Sequence, residues 1–333
     1  MGNVASRKQF AGLQSCGSAA RCLEAMVVFV LTGDCGDPSH LGFVAFQRIA
    51  AASSGHVFRL RETDVKEVIS FVKASMQPNK VSLVSVDSHS EDTQLLELNV
   101  DSTLRELMVS VSGERPHLVI SDPQGKELVA GADMDVALDL ENALAVLVRA
   151  PAAGRWQLRV SSADGSHTVR ATGVSEAGFR HGFSRQPSDS LRHTHRTPLS
   201  GSPTYVLVNG TGTTVLKELH LVNVRGDQLA KLSLNPVSRR MTLYNASGTF
   251  VPPDDFFYLK VVGTDNAGYP VNRLTPTAIK AEPPDVPEVA TRQKVLAAAG
   301  VNVTLRCSLR SLLPAVVHWL KDGTPLAGPQ RFR

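Results

Sequence analysis

No stretch of this 333-residue chain approaches the roughly 20 consecutive apolar residues that a membrane-spanning helix needs, which excludes such a helix. The longest apolar runs, such as Met26–Leu31, have the length of a buried strand. Residues 1–25 hold no apolar core of secretory-signal length, so the N-terminus as written predicts retention in the cytosol. Clusters of one charge are missing too. Lys and Arg number 35 against 31 Asp and Glu, and the net charge of +4 is spread along the chain. With no run of about five or six like charges, a dedicated nucleic-acid surface is not expected. Four cysteines, Cys16, Cys22, Cys35 and Cys307, are too scattered for a small disulfide framework.

Catalytic signatures are equally scarce. The sequence has no nucleophile elbow, no phosphate-cradling glycine loop and no metal-ligand spacing. Asp87, His89, Glu91 and Asp92 cluster, but as a solvated turn would, and nothing places a buried base beside a nucleophile. A binding or scaffold role is expected, not an enzyme.

What is present is a globular composition, 42% hydrophobic and 20% charged, with length for two or three domains. Residues 26–77 alternate strand and helix. Met26–Leu31 reads as a strand buried on both faces. Leu41, Val44, Ala45, Ile49 and Ala52 recur at a roughly helical interval, and His56–Leu60 is a second strand. Asp64 with Glu67 resembles a capping box, followed by an apolar stripe of Val65, Val68, Ile69, Val72 and Met76. This βαβα segment is half of a doubly wound sheet, which leaves an edge strand unpaired and one helical layer missing.

From residue 80 the helical period disappears. Short strands follow at Val81–Val86, Leu95–Val100, Glu106–Ser112, His117–Ser121, Ala143–Arg149, Trp156–Ser161 and Thr168–Val174. Turn residues such as Asp122-Pro123-Gln124-Gly125 separate them, the pattern of an antiparallel β-sandwich. A polar segment, 180–200, precedes further strands at Tyr205–Asn209, Lys217–Val224, Leu229–Leu234, Met241–Tyr244 and Phe256–Val262. Residues 280–290 form a Pro- and acid-rich linker. Beyond it, eleven residues separate Cys307 from Trp319, the spacing of a B-strand Cys beneath a C-strand Trp in an immunoglobulin sandwich.

Several short motifs carry functional readings. Arg225-Gly226-Asp227 is the tripeptide that integrins read on exposed loops, and equally a hairpin turn. Asn209-Gly210-Thr211, Asn245-Ala246-Ser247 and Asn302-Val303-Thr304 are glycosylation acceptors in a secreted protein. His181, His193 and His195 lack Cys or carboxylate partners at ligand spacing and read as a solvated loop. Asp164-Gly165-Ser166-His167-Thr168 resembles a cation loop but sits where a hairpin turn belongs. Met1-Gly2 with Ser6 fits the loose N-myristoylation pattern.

The segments VFVLTGDCGDPSHLGF, ASSGHVFRL, SDPQGKEL, GRWQLRV, SHTVRATGVSEAGFRHGFSRQP, PTYVLVNGTG and FVPPDDFFYLKVVG, in that order, resemble the hemicentin family over about residues 27–333. The resemblance implies a secreted protein of basement membrane and cell-junction adhesion. It divides the chain into an atypical segment 1–25, the closing part of a von Willebrand factor A domain over 26–79, and a galactose-binding-like sandwich over 80–176. An immunoglobulin-like β-domain at 177–280 and the start of an immunoglobulin domain at 281–333 complete it. The fold class expected is therefore multidomain and mainly β, with Cys307 half of a bridge whose partner lies beyond the chain. A full A domain holds a divalent cation through an Asp-x-Ser-x-Ser loop that this chain does not include, and Asp34 and Asp37 are given no such role. No cofactor or metal is expected; calcium or magnesium belongs only to a full-length A domain. The partners implied are matrix or cell-surface proteins, including self-association, with no nucleic acid and no membrane span. The competing readings are a cytosolic N-myristoylated protein and a fragment without independent function, in which only about residues 80–280 fold alone.

Overall fold

A computed structural model of the chain describes residues 26–32, 41–90, 92–212, 214–237 and 242–283, with short pieces at 288–289, 298, 301, 309–310, 320–321 and 324–325. The expected immunoglobulin pair Cys307 and Trp319, the expected acceptor Asn302, and Cys16, Cys22 and Cys35 lie outside the described residues. No described helix is long and apolar enough to cross a membrane.

The α/β segment is β1 (Phe29–Thr32), α1 (Leu41–Ala52), β2 (Val57–Leu60) and α2 (Val65–Ser75). β1 and β2 pair in parallel, as a βαβ crossover requires. Two expectations are corrected. β1 is not covered on both faces, since its residues alternate and Val30 is exposed. Ile69 of α2 and Met76 just beyond it are exposed, and the buried positions of α2 are Val68 and Phe71. The helix turns towards another element: Phe58, Leu60, Val68 and Phe71 form one apolar cluster with Met108, Leu138, Ala143 and Ala145 of the next domain.

That domain is a sandwich. β3 (Lys80–His89), β5 (Glu106–Gly113), β7 (Asp135–Leu140), β8 (Ala143–Arg149) and β10 (Ser166–Val174) form one sheet in the order β3-β10-β5-β8-β7. β4 (Gln94–Val100), β6 (His117–Ser121) and β9 (Gly154–Ser161) form the other, in the order β4-β9-β6. Alternation along each strand sends Leu98, Val100, Trp156 and Leu158 inward to meet Leu107, Val109, Val146 and Val169. The residues between them, Met108, Ser110 and Ser112 on β5 and Ala143 and Ala145 on β8, point outward. The α/β segment covers that outer face, so the first sheet is buried on both sides. Strand β7 escaped the sequence reading although Val136, Leu138 and Leu140 alternate; it is a short strand at the sheet edge with a register shift between Val136 and Leu138.

The second sandwich comprises β11 (Phe179–Ser184), β12 (Tyr205–Gly210), β13 (Thr214–Asn223), β14 (Gln228–Pro236), β15 (Leu243–Ala246), β16 (Phe257–Asp265) and β17 (Pro270–Leu274). β14 changes sheets midway. Up to Ser233 it pairs with β13, and from Leu234 it pairs with β15, which folds the ladder over its own core. Val206, Val208 and Tyr244 thereby face Leu219, Leu221, Phe257 and Leu259. The segment expected as a polar linker at 180–200 is instead β11 followed by a loop laid back against the sheet. β17 joins the two sandwiches through one pair, Leu274 with Ser82.

Candidate functional site

The Arg225-Gly226-Asp227 turn closes the β13–β14 hairpin. Asn223 builds it: its Oδ1 accepts from the backbone N–H of Arg225 (3.0 Å) and Asp227 (2.9 Å), an Asx turn. Its Nδ2 donates to Asp227 Oδ2 at 2.9 Å, so one carboxylate oxygen is held inside the turn. Gly226 has φ +92°, a left-handed conformation natural only to glycine, and a Cβ there would meet Val86 Cγ2 at 3.0 Å. The Asp87 N–H donates to the Val224 carbonyl at 2.9 Å. The tripeptide is thus a hairpin turn seated on β3 of the first sandwich, with the Arg225 and Asp227 side chains exposed.

The two acceptor sequons among the described residues, at Asn209 and Asn245, lie on the outer face of the second sandwich. Asn209 stands opposite Arg180 and Leu243, and Asn245 opposite Leu207 and Asn235. Each is half-buried. The acceptor hydroxyl of Thr211 also holds structure, receiving the Gly178 N–H at 2.9 Å and donating to the Glu176 carbonyl at 3.0 Å.

The histidine reading is corrected in one place. His193 and His195 are exposed on a loop as expected, but His181 sits on the inner side of β11 with its ring 5.3 Å from that of Phe183. Burial, aided by the nearby Arg196, lowers its pKa to about 4, so it is neutral at physiological pH. The Asp164–Thr168 stretch is a hairpin turn, with Asp164 Oδ1 accepting the Ser166 N–H and Gly165 at the turn position. Asp87 is not on the solvated turn expected for it but on β3. It faces the buried Arg170 as an ion pair, while His89 contacts Ser166.

The feature absent from the sequence reading is a set of buried polar junctions between domains. Arg273 of β17 and Asp101, in the turn after β4, meet at 2.6 Å, with side chains 2% and 0% exposed. Arg273 also donates to the Ala177 carbonyl (2.7 Å) and Ser175 Oγ (3.1 Å) in the connection between sandwiches. Thr103 bonds Asp101 from the other side. Beside them Asp265 Oδ2 accepts from Ser102 N–H (2.8 Å) and Oγ (2.7 Å). Burial alone would raise the Asp265 pKa, but the bonds from Ser102, Tyr269 and Ala267 outweigh it and hold the carboxyl below its usual range. A second junction ties in the α/β segment. The Tyr258 hydroxyl donates to the Ala51 carbonyl at 2.6 Å and receives Ser85 Oγ at 2.9 Å. His56 lies against Ser110 (2.8 Å) and Thr168 (3.2 Å) on the outer face of the first sheet. No group of three or more His, Cys, Asp or Glu that could hold a metal occurs among the described residues.

Comparison with known proteins places these domains. Residues 80–176, the first sandwich, match the hemicentin galactose-binding domain-like family. Hemicentin-1 of Mus musculus is 35% identical over 316 residues, 93% of this chain and 6% of the relative. Hemicentin-2 of the same species is 35% identical over 314 residues, again 93% of this chain and 6% of the relative. The von Willebrand factor A domain-containing protein 7 of Mus musculus is 25% identical over 266 residues, 74% of this chain and 30% of that protein. Among solved structures, a Bacillus licheniformis lipase in propeptide form aligns over 74% of this chain and 58% of that chain, at 12% identity and a TM-score of 0.31, too distant to carry weight. The chain thus spans a small fraction of the hemicentins it matches, and with its galactose-binding-like sandwich it belongs to the hemicentin family.

Proposed function

We propose that this segment is a non-catalytic structural module of an extracellular matrix protein, holding neighbouring domains in fixed relation within basement membranes and cell junctions. The observation that supports it is the Arg273–Asp101 junction. Both groups are desolvated and fully engaged, and a charge pair of that kind tolerates little movement because separation would strand a buried charge. Domains joined by flexible linkers do not need such contacts. The module orients its partners, which are matrix or cell-surface proteins, and carries N-glycans at Asn209, Asn245 and Asn302.

The turn at Arg225–Asp227 favours a second, compatible reading as a receptor contact. Both charged side chains are exposed, and only one Asp227 oxygen is occupied within the turn, which leaves the other for a receptor-bound cation.

The test is expression in secretory cells behind a secretory leader, followed by glycosidase treatment and exposure to cell-deposited matrix. A secreted chain that loses mass on deglycosylation and co-deposits with the matrix agrees with the proposal. An intracellular, unglycosylated chain, or one that washes out of the matrix, contradicts it. Replacing Asp227 with Glu would abolish cell attachment if the turn is read by a receptor; unchanged attachment removes that second reading.

A further inference from the structure

The loop after β11 gathers positive charge that the linear sequence disperses. Arg180 projects from the outer face of β11, and Arg185, Arg192, His193, His195 and Arg196 follow on the loop; all six are exposed. The loop is not a loose connection. Phe183 and His195 exchange N–H to carbonyl bonds, each 2.8 Å, which pins the far end of the loop beside β11. Between them Leu191–His193 forms a 3-10 turn whose start is capped by Ser190, with Oγ accepting the Arg192 N–H at 3.3 Å. Thr194 Oγ1 donates to the Leu191 carbonyl at 2.8 Å, and both side chains lie over Gly182. The arginines are therefore held on one surface before any ligand arrives, which lowers the ordering cost of binding.

The acidic residues near this surface do not cancel it. Asp189 lies within the loop, and Glu282 approaches its end, accepting from Thr197 Oγ1 at 2.6 Å. Among the described residues Arg180, Arg185 and Arg192 make no ion pair. Asp254 Oδ1 also meets Ser200 Oγ at 3.5 Å, and four guanidinium groups against three carboxylates leave a net positive face.

We propose that this face binds a sulfated polysaccharide. Planar guanidinium groups pair with tetrahedral oxyanions through two parallel N–H bonds, and several of them set along one surface suit a linear chain carrying repeated sulfates. Single-stranded nucleic acid is held largely by stacking on large aromatic rings, and this loop has no Phe, Tyr or Trp between 184 and 204. The proposal rests on the extracellular reading above, because sulfated polysaccharide is met there; binding in vitro is nevertheless independent of secretion, so the two readings fail separately. Arg180 stands directly opposite Asn209, so a glycan on Asn209 would border the surface and limit access to it.

The experiment uses the full chain, treated with N-glycosidase, on immobilised heparin. The chain is expected to be retained at about 0.15 M salt and released as salt rises and screens the arginines. It should pass through a column of heparin stripped of sulfate. The triple variant Arg180→Glu, Arg185→Glu, Arg192→Glu should lose retention while keeping its urea midpoint, and the control Arg155→Glu, on the first sandwich, should keep both. The idea is overturned if the full chain is not retained, if desulfated heparin retains it equally, if the triple variant binds as before, or if phosphatidylserine vesicles capture it in preference to heparin.

Discussion

The Arg273 guanidinium and the Asp101 carboxylate stand 2.6 Å apart, both out of contact with solvent, one on the second sandwich and one on the first. The pair ties two domains that also meet through the strand pairing of Leu274 with Ser82 and the Asp87 N–H bond to the Val224 carbonyl. Removing one member strands the other. Arg273→Met should cost about 3–5 kcal/mol, whereas Arg273→Met with Asp101→Leu should recover most of that loss. Urea denaturation of the three proteins decides it: equal midpoints for the single and double variants would mean that the charge pair is not the source of the effect.

Histidine burial sets a pH dependence. Burial first, then the nearby Arg170 and Lys80, hold the His56 pKa well below 6.5; Arg170 is in turn paired with Asp87. His181 is lowered to about 4. Both are neutral in the fold, whereas the unfolded chain takes up protons near pH 6.5. Their contribution to stability is therefore complete above about pH 6.5 and declines as pH falls towards 4, where the unfolded state holds more protons. Urea midpoints should drop across that window, and His56→Gln with His181→Phe should flatten the curve. A midpoint that does not move with pH in the unaltered chain would contradict this.

Tyr258 bridges the second sandwich to the α/β segment through its hydroxyl. Tyr258→Phe leaves the ring packing and removes one of the two donors to the Ala51 carbonyl, which keeps the Ser54 N–H at 3.3 Å, a loss of about 0.5–1.5 kcal/mol for one hydrogen bond. Amide exchange should speed up across α1 and β2 more than within the first sandwich. Uniform exchange rates would show that the segment docks by its apolar cluster alone.

Gly182 holds the loop after β11 in place by having no side chain. A Cβ there would come within 1.8 Å of Thr194 Oγ1, so Gly182→Val should unseat the loop at a cost of about 1–3 kcal/mol. Limited proteolysis between residues 185 and 196 should accelerate in the variant. Unchanged cleavage would mean that the loop stays ordered without this contact.

Much of the fold is legible in the sequence. Alternating apolar residues mark most strands of both sandwiches within a few positions, because each strand buries one face and the period of two survives in the composition. The turns are equally plain, since Asp122–Gly125, Ala163–Ser166 and Arg225–Asp227 contain the residues that turn geometry requires. Strand β11 was hidden because FRHGFS is half polar: its outer face carries Arg180, and its inner face buries a histidine between two phenylalanines. Strand β17, PVNRL, was hidden for a similar reason, as its buried arginine reads as a surface residue until Asp101 is brought to it.

The sequence by itself determined both helices, most of the strands and where the chain reverses, because those properties depend mainly on neighbours within a few residues. The tertiary structure alone decided which faces are covered. It put Phe71 and not Ile69 against the first sandwich, since the partner of α2 proved to be that sheet. It also brought Asp101 to Arg273 across 172 positions and laid the loop that carries Arg192 back over Gly182 of β11, the strand that carries Arg180. Charges that far apart in sequence have no period to betray them, and only the packing of the domains makes them neighbours.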